Sequence, residues 1–85
     1  MIRSNGTMDK LISVFATVLN VAPSQISPQT SPENTASWDS MNAIVLITEI
    51  EKAFSVKFSY EEAMRIKTFG DVVNVLKSKG IDPAS

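Results

Sequence analysis

The segment Trp38-Asp39-Ser40-Met41-Asn42-Ala43-Ile44-Val45-Leu46-Ile47-Thr48-Glu49-Ile50-Glu51-Lys52-Ala53-Phe54 frames the whole chain. Asp39 and Ser40 both suit the cap of a helix, and the apolar residues behind them recur at helical spacing. The pattern predicts the longest helix of the protein, ending at Phe54, in spite of a β-branched run that lowers helix propensity. At about 100° per residue, Ala43, Leu46, Ile47, Ile50, Ala53 and Phe54 share one face, which belongs in a core. Met41, Ile44 and Val45 gather on the opposite side with Thr48 and Lys52, so they cannot all join that face.

On the N-terminal side, Met8, Leu11, Ile12, Phe15, Val18 and Leu19 form the apolar stripe of a first helix, from about Thr7 to Asn20, with Asp9 suited to its first turn. Between it and Trp38 the chain is rich in Ser, Thr, Gln and Asn and is broken by Pro23, Pro28 and Pro32. Proline fixes φ and lacks a donor, so Val21–Ser37 is expected to be a long loop, with Val21 and Ile26 available to pin it to the core.

On the C-terminal side, Ser59-Tyr60-Glu61-Glu62 has the spacing of a capping box and predicts a short third helix ending near Arg65 or Lys67. Thr68-Phe69-Gly70-Asp71 opens a fourth helix by similar chemistry, with Phe69, Val72, Val73 and Leu76 as its stripe. Lys77 and Lys79 suit its negative end, and Gly80 is placed to terminate it in the left-handed conformation before Asp82-Pro83. No strand pattern or internal repeat is visible. The expected fold is all-α: a four-helix bundle with a long first loop and a short third helix, forming one domain over residues 1–85 with its core at about 7–80.

Composition narrows the function. A chain of 85 residues has room for one small core, and its 44% apolar and 20% charged content describe a compact protein rather than a disordered one. The net charge of −1, with Lys and Arg scattered from Arg3 to Lys79, provides no basic stripe and argues against nucleic acid as a partner. The sequence has no cysteine and no histidine, which removes thiolate chemistry, the usual zinc and copper ligands and the commonest neutral-pH base. Independent catalysis therefore has little to stand on, and no metal is expected. Glu49, Glu51, Glu61 and Glu62 match no calcium-loop spacing and read as a solvated surface. The longest apolar run, Ala43 to Ile47, is far too short to span a bilayer, and Met1-Ile2-Arg3 leads into no signal-type segment, so no membrane insertion and a cytoplasmic location are expected.

The second apolar face of the long helix allows two readings. Soluble proteins tolerate single exposed apolar residues, and the long loop could fold over these. Yet burying each such side chain is worth about 1.5–3 kcal/mol, a large share of a small domain's stability, so three neighbours left outside suggest a surface for a partner. Ser40 also has two compatible roles. As an N-cap it would contribute about 1 kcal/mol, and a phosphodiester attached to it would lie where helix amides and the macrodipole favour an anion. A hydrolase-type nucleophile would need a base and a G-x-S-x-G elbow, and the chain offers neither.

Trp38-Asp39-Ser40-Met41 at the head of a long helix resembles the Asp-Ser-Leu motif of the acyl carrier protein family. The similarity extends through Val56 and Phe58, the capped turn at Tyr60-Glu61-Glu62-Ala63, and Thr68-Phe69 opening a helix through Val72, Val73 and Leu76, roughly Met8 to Lys79 in all. The resemblance implies a monomeric carrier without activity of its own. A phosphopantetheinyl transferase would move 4′-phosphopantetheine from coenzyme A to Ser40, with Asp39 beside it, and acyl groups would ride on the arm's thiol as thioesters for acyl-loading and acyl-transferring enzymes. Met41, Asn42, Ile44 and Val45 become the candidate contacts for those partners.

The chain also departs from the family's housekeeping members, which usually have Leu after the serine, an acidic residue next and a markedly acidic second helix. Met41, Asn42 and Val45 stand at those places here and Lys52 replaces acidity further along, which points to a specialised pathway of lipid or secondary-metabolite synthesis. Trp38 is similar to carriers of D-alanine or of unusual acyl chains, so an aminoacyl or peptidyl cargo is an alternative; packing the loop end against the bundle is the plainer role for that ring. From other classes, a docking module that never receives the arm would use Met41, Ile44 and Val45 without Ser40, and a small catalyst would rest on surface carboxylates alone.

Overall fold

The computed structural model describes residues 7–81, in which four α-helices and one short 3-10 turn follow one another and no strand occurs. The helices are α1 (Thr7–Leu19), α2 (Ser40–Phe54), α3 (Tyr60–Arg65) and α4 (Phe69–Ser78), with the 3-10 turn at Pro23–Gln25. This is the all-α bundle with a long first loop and a short third helix. Asp82 and Pro83, expected to follow the last helix, lie outside the described residues.

Local chemistry sets most of the boundaries. Ser59 and Glu62 form a reciprocal box at the start of α3, and Thr68 and Asp71 form one at the start of α4, so two orphan amides are satisfied at each end. Three helices then stop in the same way. Asn20, Ser55 and Gly80 take positive φ, and the next residue, Val21, Val56 or Ile81, donates its N–H to the carbonyl five positions back at 3.1, 3.1 and 2.9 Å. Each of those apolar residues packs against the core, which fixes the chain's exit from the helix.

The core is built around Phe15. Its ring meets Trp38 edge-on at 5.4 Å and Phe69 at 4.8 Å, both at an interplanar angle of 76°, which is the favoured quadrupole arrangement. Leu11, Leu19, Leu46, Ile50, Val72 and Leu76 close around these rings. The expected stripe of α4 faces the core, with Phe69, Val72 and Leu76 buried in it and Val73 half-buried against it, and Val75 is buried as well. The apolar face of α4 is therefore wide enough to include both valines.

The loop is anchored rather than free. Val21 and Ile26 pack against the core as expected, and the turns at Ser27–Thr30 and Ser31–Asn34 are closed by side chains of Thr30 and Asn34 at 2.9 and 3.0 Å. Phe69 and Gly70 then donate to the carbonyls of Thr30 and Pro28 at 2.8 and 3.1 Å, tying the loop to the start of α4. The approach at Gly70 is close: a Cβ there would lie 3.2 Å from the Pro28 oxygen.

Candidate functional site

The loop delivers Trp38 into the core, and α2 starts two residues later at the surface. Asp39, in extended backbone conformation, is the N-cap: its Oδ1 accepts from the Asn42 N–H at 2.9 Å, and its carbonyl accepts from Ala43 at 2.9 Å. Ser40 is therefore the first helical residue and not the cap, which settles the choice between two adjacent capping residues. Its exposed side chain is left free of the capping task, with its own amide and that of Met41 at the positive end of the helix. Asn42 is held inward, its Nδ2 donating to the Ser37 carbonyl at 2.7 Å. Through that N–H it braces the loop against α2.

The two faces of α2 separate as the spacing predicts. Leu46 and Ile50 are buried, with Ala43, Ile47, Ala53 and Phe54 half-buried around them. Met41, Ile44 and Val45 are 77%, 69% and 40% exposed, and the loop covers none of them fully. Val45 turns toward α1, where it lines a groove of about 560 Å³ with Val14, Val18 and Ala53. Behind α2 the bundle is closely packed, with a void of only about 40 Å³ between Phe15, Trp38, Ile47, Ala63 and Ile66. On α3, Tyr60 and Met64 are also exposed, an apolar pair that a six-residue helix is too short to reveal by periodicity.

Charge is absent from the near half of α2: no side chain from Ser40 to Thr48 is ionisable. Glu51, read from sequence as solvated surface, is in fact structural, and Glu62 has a partner beyond its capping box. Glu51 Oε2 accepts from the Phe58 N–H at 2.7 Å, holding the turn after α2. Glu62 Oε1 accepts from the Ser59 N–H at 2.8 Å and meets Lys79 Nζ at 2.7 Å, while Lys79 also lies over the Phe58 ring at 5.6 Å. The Lys79 hydrogen bond, joined by that of the Ser59 amide, holds the Glu62 carboxyl below its usual value. These partners lie 17 positions apart in sequence (79 − 62), too far for any local pattern to show.

Residues 9–76 match the phosphopantetheine attachment site family. The chain belongs to the acyl carrier protein family. It is 31% identical over 72 residues to an acyl carrier protein of Thermosynechococcus vestitus, covering 85% of this chain and 89% of that one. It is 30% identical over 70 residues to an acyl carrier protein of Amoebophilus asiaticus, covering 82% and 88%. The fold is shared with a solved structure described as an acyl carrier protein from Mycobacterium tuberculosis, with a TM-score of 0.76 and 24% identity over 87% of this chain and 99% of that one. Family membership brings with it a covalent 4′-phosphopantetheine group and an acyl-carrying role. Among the described residues no helix is long and apolar enough to cross a membrane.

Proposed function

We propose that Ser40 is the attachment point of the phosphopantetheine arm and that the chain is a single carrier domain, acting as a monomer in the cytoplasm without catalysis of its own. The supporting observation is the division of labour at the start of α2: Asp39 does the capping, and Ser40 presents an exposed hydroxyl at the first helical position. The residues fit the group, because the phosphodiester would sit at the positive end of a helix of 15 residues whose first amides face it. The arm supplies the thiol on which acyl groups are held as thioesters, a nucleophile the cysteine-free chain lacks.

The chain's own residues position and present. Asp39 and Asn42 fix the entry to α2 through hydrogen bonds of 2.9 and 2.7 Å, and Trp38 anchors that entry to Phe15. Met41, Ile44 and Val45 offer an apolar surface beside Ser40 to the transferase that modifies it and to the acyl-loading and acyl-transferring enzymes that follow, in lipid or secondary-metabolite synthesis. Asn42 serves this surface from below, by holding the loop, rather than as a free contact. Buried Trp38 has a packing role and favours no aminoacyl cargo over an acyl one.

The test is intact-protein mass spectrometry after incubation with coenzyme A, magnesium and a broad-specificity phosphopantetheinyl transferase. The wild-type chain is expected to gain the mass of one phosphopantetheine and Ser40→Ala to gain none. A gain in both proteins moves the attachment elsewhere, and no gain in either, beside a modified control carrier, favours the docking-module alternative.

A further inference from the structure

Resting on Ser40 as the modified residue, we propose that the acyl chain carried on its arm lies along the outside of the bundle, in the groove between α1 and α2 floored by Val14, Val18, Val45 and Ala53, and not among the core side chains. An acyl chain is apolar, and one tethered at Ser40 leaves water wherever the protein offers apolar surface within reach. The interior offers little. The void behind α2 is about 40 Å³, room for about one water-sized group, and the Phe15 and Trp38 rings that line it already meet edge-on at 5.4 Å. Admitting methylene groups there would push packed side chains off their rotamers.

The groove suits such a chain in position, length and chemistry. Val45, at its near end, follows Ser40 by about 8 Å along the α2 axis. From Val45 to Ala53 it runs about 12 Å, the extended length of roughly a ten-carbon chain. Val14 and Val18 are half-buried on α1, packed against the core on their inner sides, and open on a volume of about 560 Å³. Charge stands only at the margin: Lys10 Nζ lies over the Phe54 ring at 5.2 Å, and Glu49 pairs with Lys52 at 3.7 Å. The tether decides the occupant. A chain joined covalently to α2 meets the groove at an effective concentration on the order of millimolar, an advantage that no free partner shares.

The experiment loads the isotope-labelled full chain from unlabelled octanoyl coenzyme A with a broad-specificity phosphopantetheinyl transferase and confirms the added mass. Isotope-filtered NOEs are then recorded between the octanoyl methylenes and the protein methyl groups, with the acetyl-loaded chain as reference. Cross-peaks are expected on Val14, Val18, Val45 and Ala53. Stronger cross-peaks on Ala43, Ile47, Ala63 or Ile66 put the chain in the interior and overturn the groove. Cross-peaks no stronger than those of the acetyl reference leave the chain in water and overturn it too. Labelled Ser40→Ala mixed with the unlabelled octanoyl carrier is expected to show none; cross-peaks there mean that a second copy supplies the chain, which also overturns the proposal. The double variant Val14→Thr, Val18→Thr keeps the shape of the floor and adds hydroxyls, and circular dichroism checks that it stays folded. It is expected to cut the cross-peaks at Val45 and Ala53 by at least about half, and undiminished peaks contradict an apolar floor. In each of these failures the octanoyl mass is still found and the reading of Ser40 stands; no mass gain by the wild-type chain removes both.

Discussion

Leu46 and Ile44 stand two residues apart on the same helix and are nearly the same size, yet one is 2% exposed and the other 69%. Leu46 belongs with Ile50 to the face that closes over Phe15, while Ile44 belongs with Met41 to the face that opens beside Ser40. Hydrophobicity stabilises the fold on the first face and, on the second, forms the surface proposed for partners, so the same change of residue should have different consequences on the two sides. A domain this small has little stability to spare, and leaving two large apolar side chains in water forgoes the stabilisation that their burial would add.

The largest effect should come from the inner face. Ile50→Ala is expected to lower unfolding free energy by about 2–5 kcal/mol, measured by urea denaturation, because it removes fully buried methyl groups and leaves a cavity in a closely packed core. Next comes the cap that joins the faces. Asp39→Ala is expected to cost about 1 kcal/mol and to slow modification of Ser40, since the first turn of α2 then frays.

A smaller change, at the charged end of the molecule, isolates electrostatics from packing. Glu62→Gln keeps an acceptor for the Ser59 amide but removes the charge facing Lys79. The folded-state pKa of Glu62 is depressed, so its contribution is present above the unfolded value of about 4.3 and is lost as pH falls through the lower, folded value. Urea midpoints against pH should therefore show the variant less stable near neutrality, with a shallower acid limb, and the two curves meeting at low pH. Smallest of all, Ile44→Ala should leave stability within about 0.5 kcal/mol of wild type. A loss comparable to that of Ile50→Ala would mean that Ile44 is covered in solution, and the contrast between the faces would collapse.

Much of this was legible in the sequence because the signals are local. Caps three residues apart at Ser59–Glu62 and Thr68–Asp71, the glycine terminator at Gly80 and the two faces of α2 are all set within a few turns. The rest depends on residues that meet only after folding. Pairing of Glu62 with Lys79 and support of Phe58 by Glu51 join separate elements, so neither contact shows in local spacing. Val75 is buried on α4 beside the expected stripe, while Val73 packs half-buried against the core, because neighbouring elements set how deep each position lies. At Asp39-Ser40 two good capping residues are adjacent, and only the backbone shows that Asp39 takes the role. For the proposed site, the apolar neighbours of Ser40 could be named from spacing and Ser40 itself from the resemblance of Trp38-Asp39-Ser40-Met41 to the carrier motif, whereas the brace from Asn42 to Ser37 could not.

The most direct test of the account is to locate the modification at residue level. After enzymatic transfer from coenzyme A, the chain is digested and the peptides covering residues 35–60 are fragmented in the mass spectrometer. The account predicts that the added mass is carried by Ser40 alone, at the first turn of α2. Finding it on Ser37, Ser55 or Ser59, or on no serine of a folded and correctly treated protein, would contradict it.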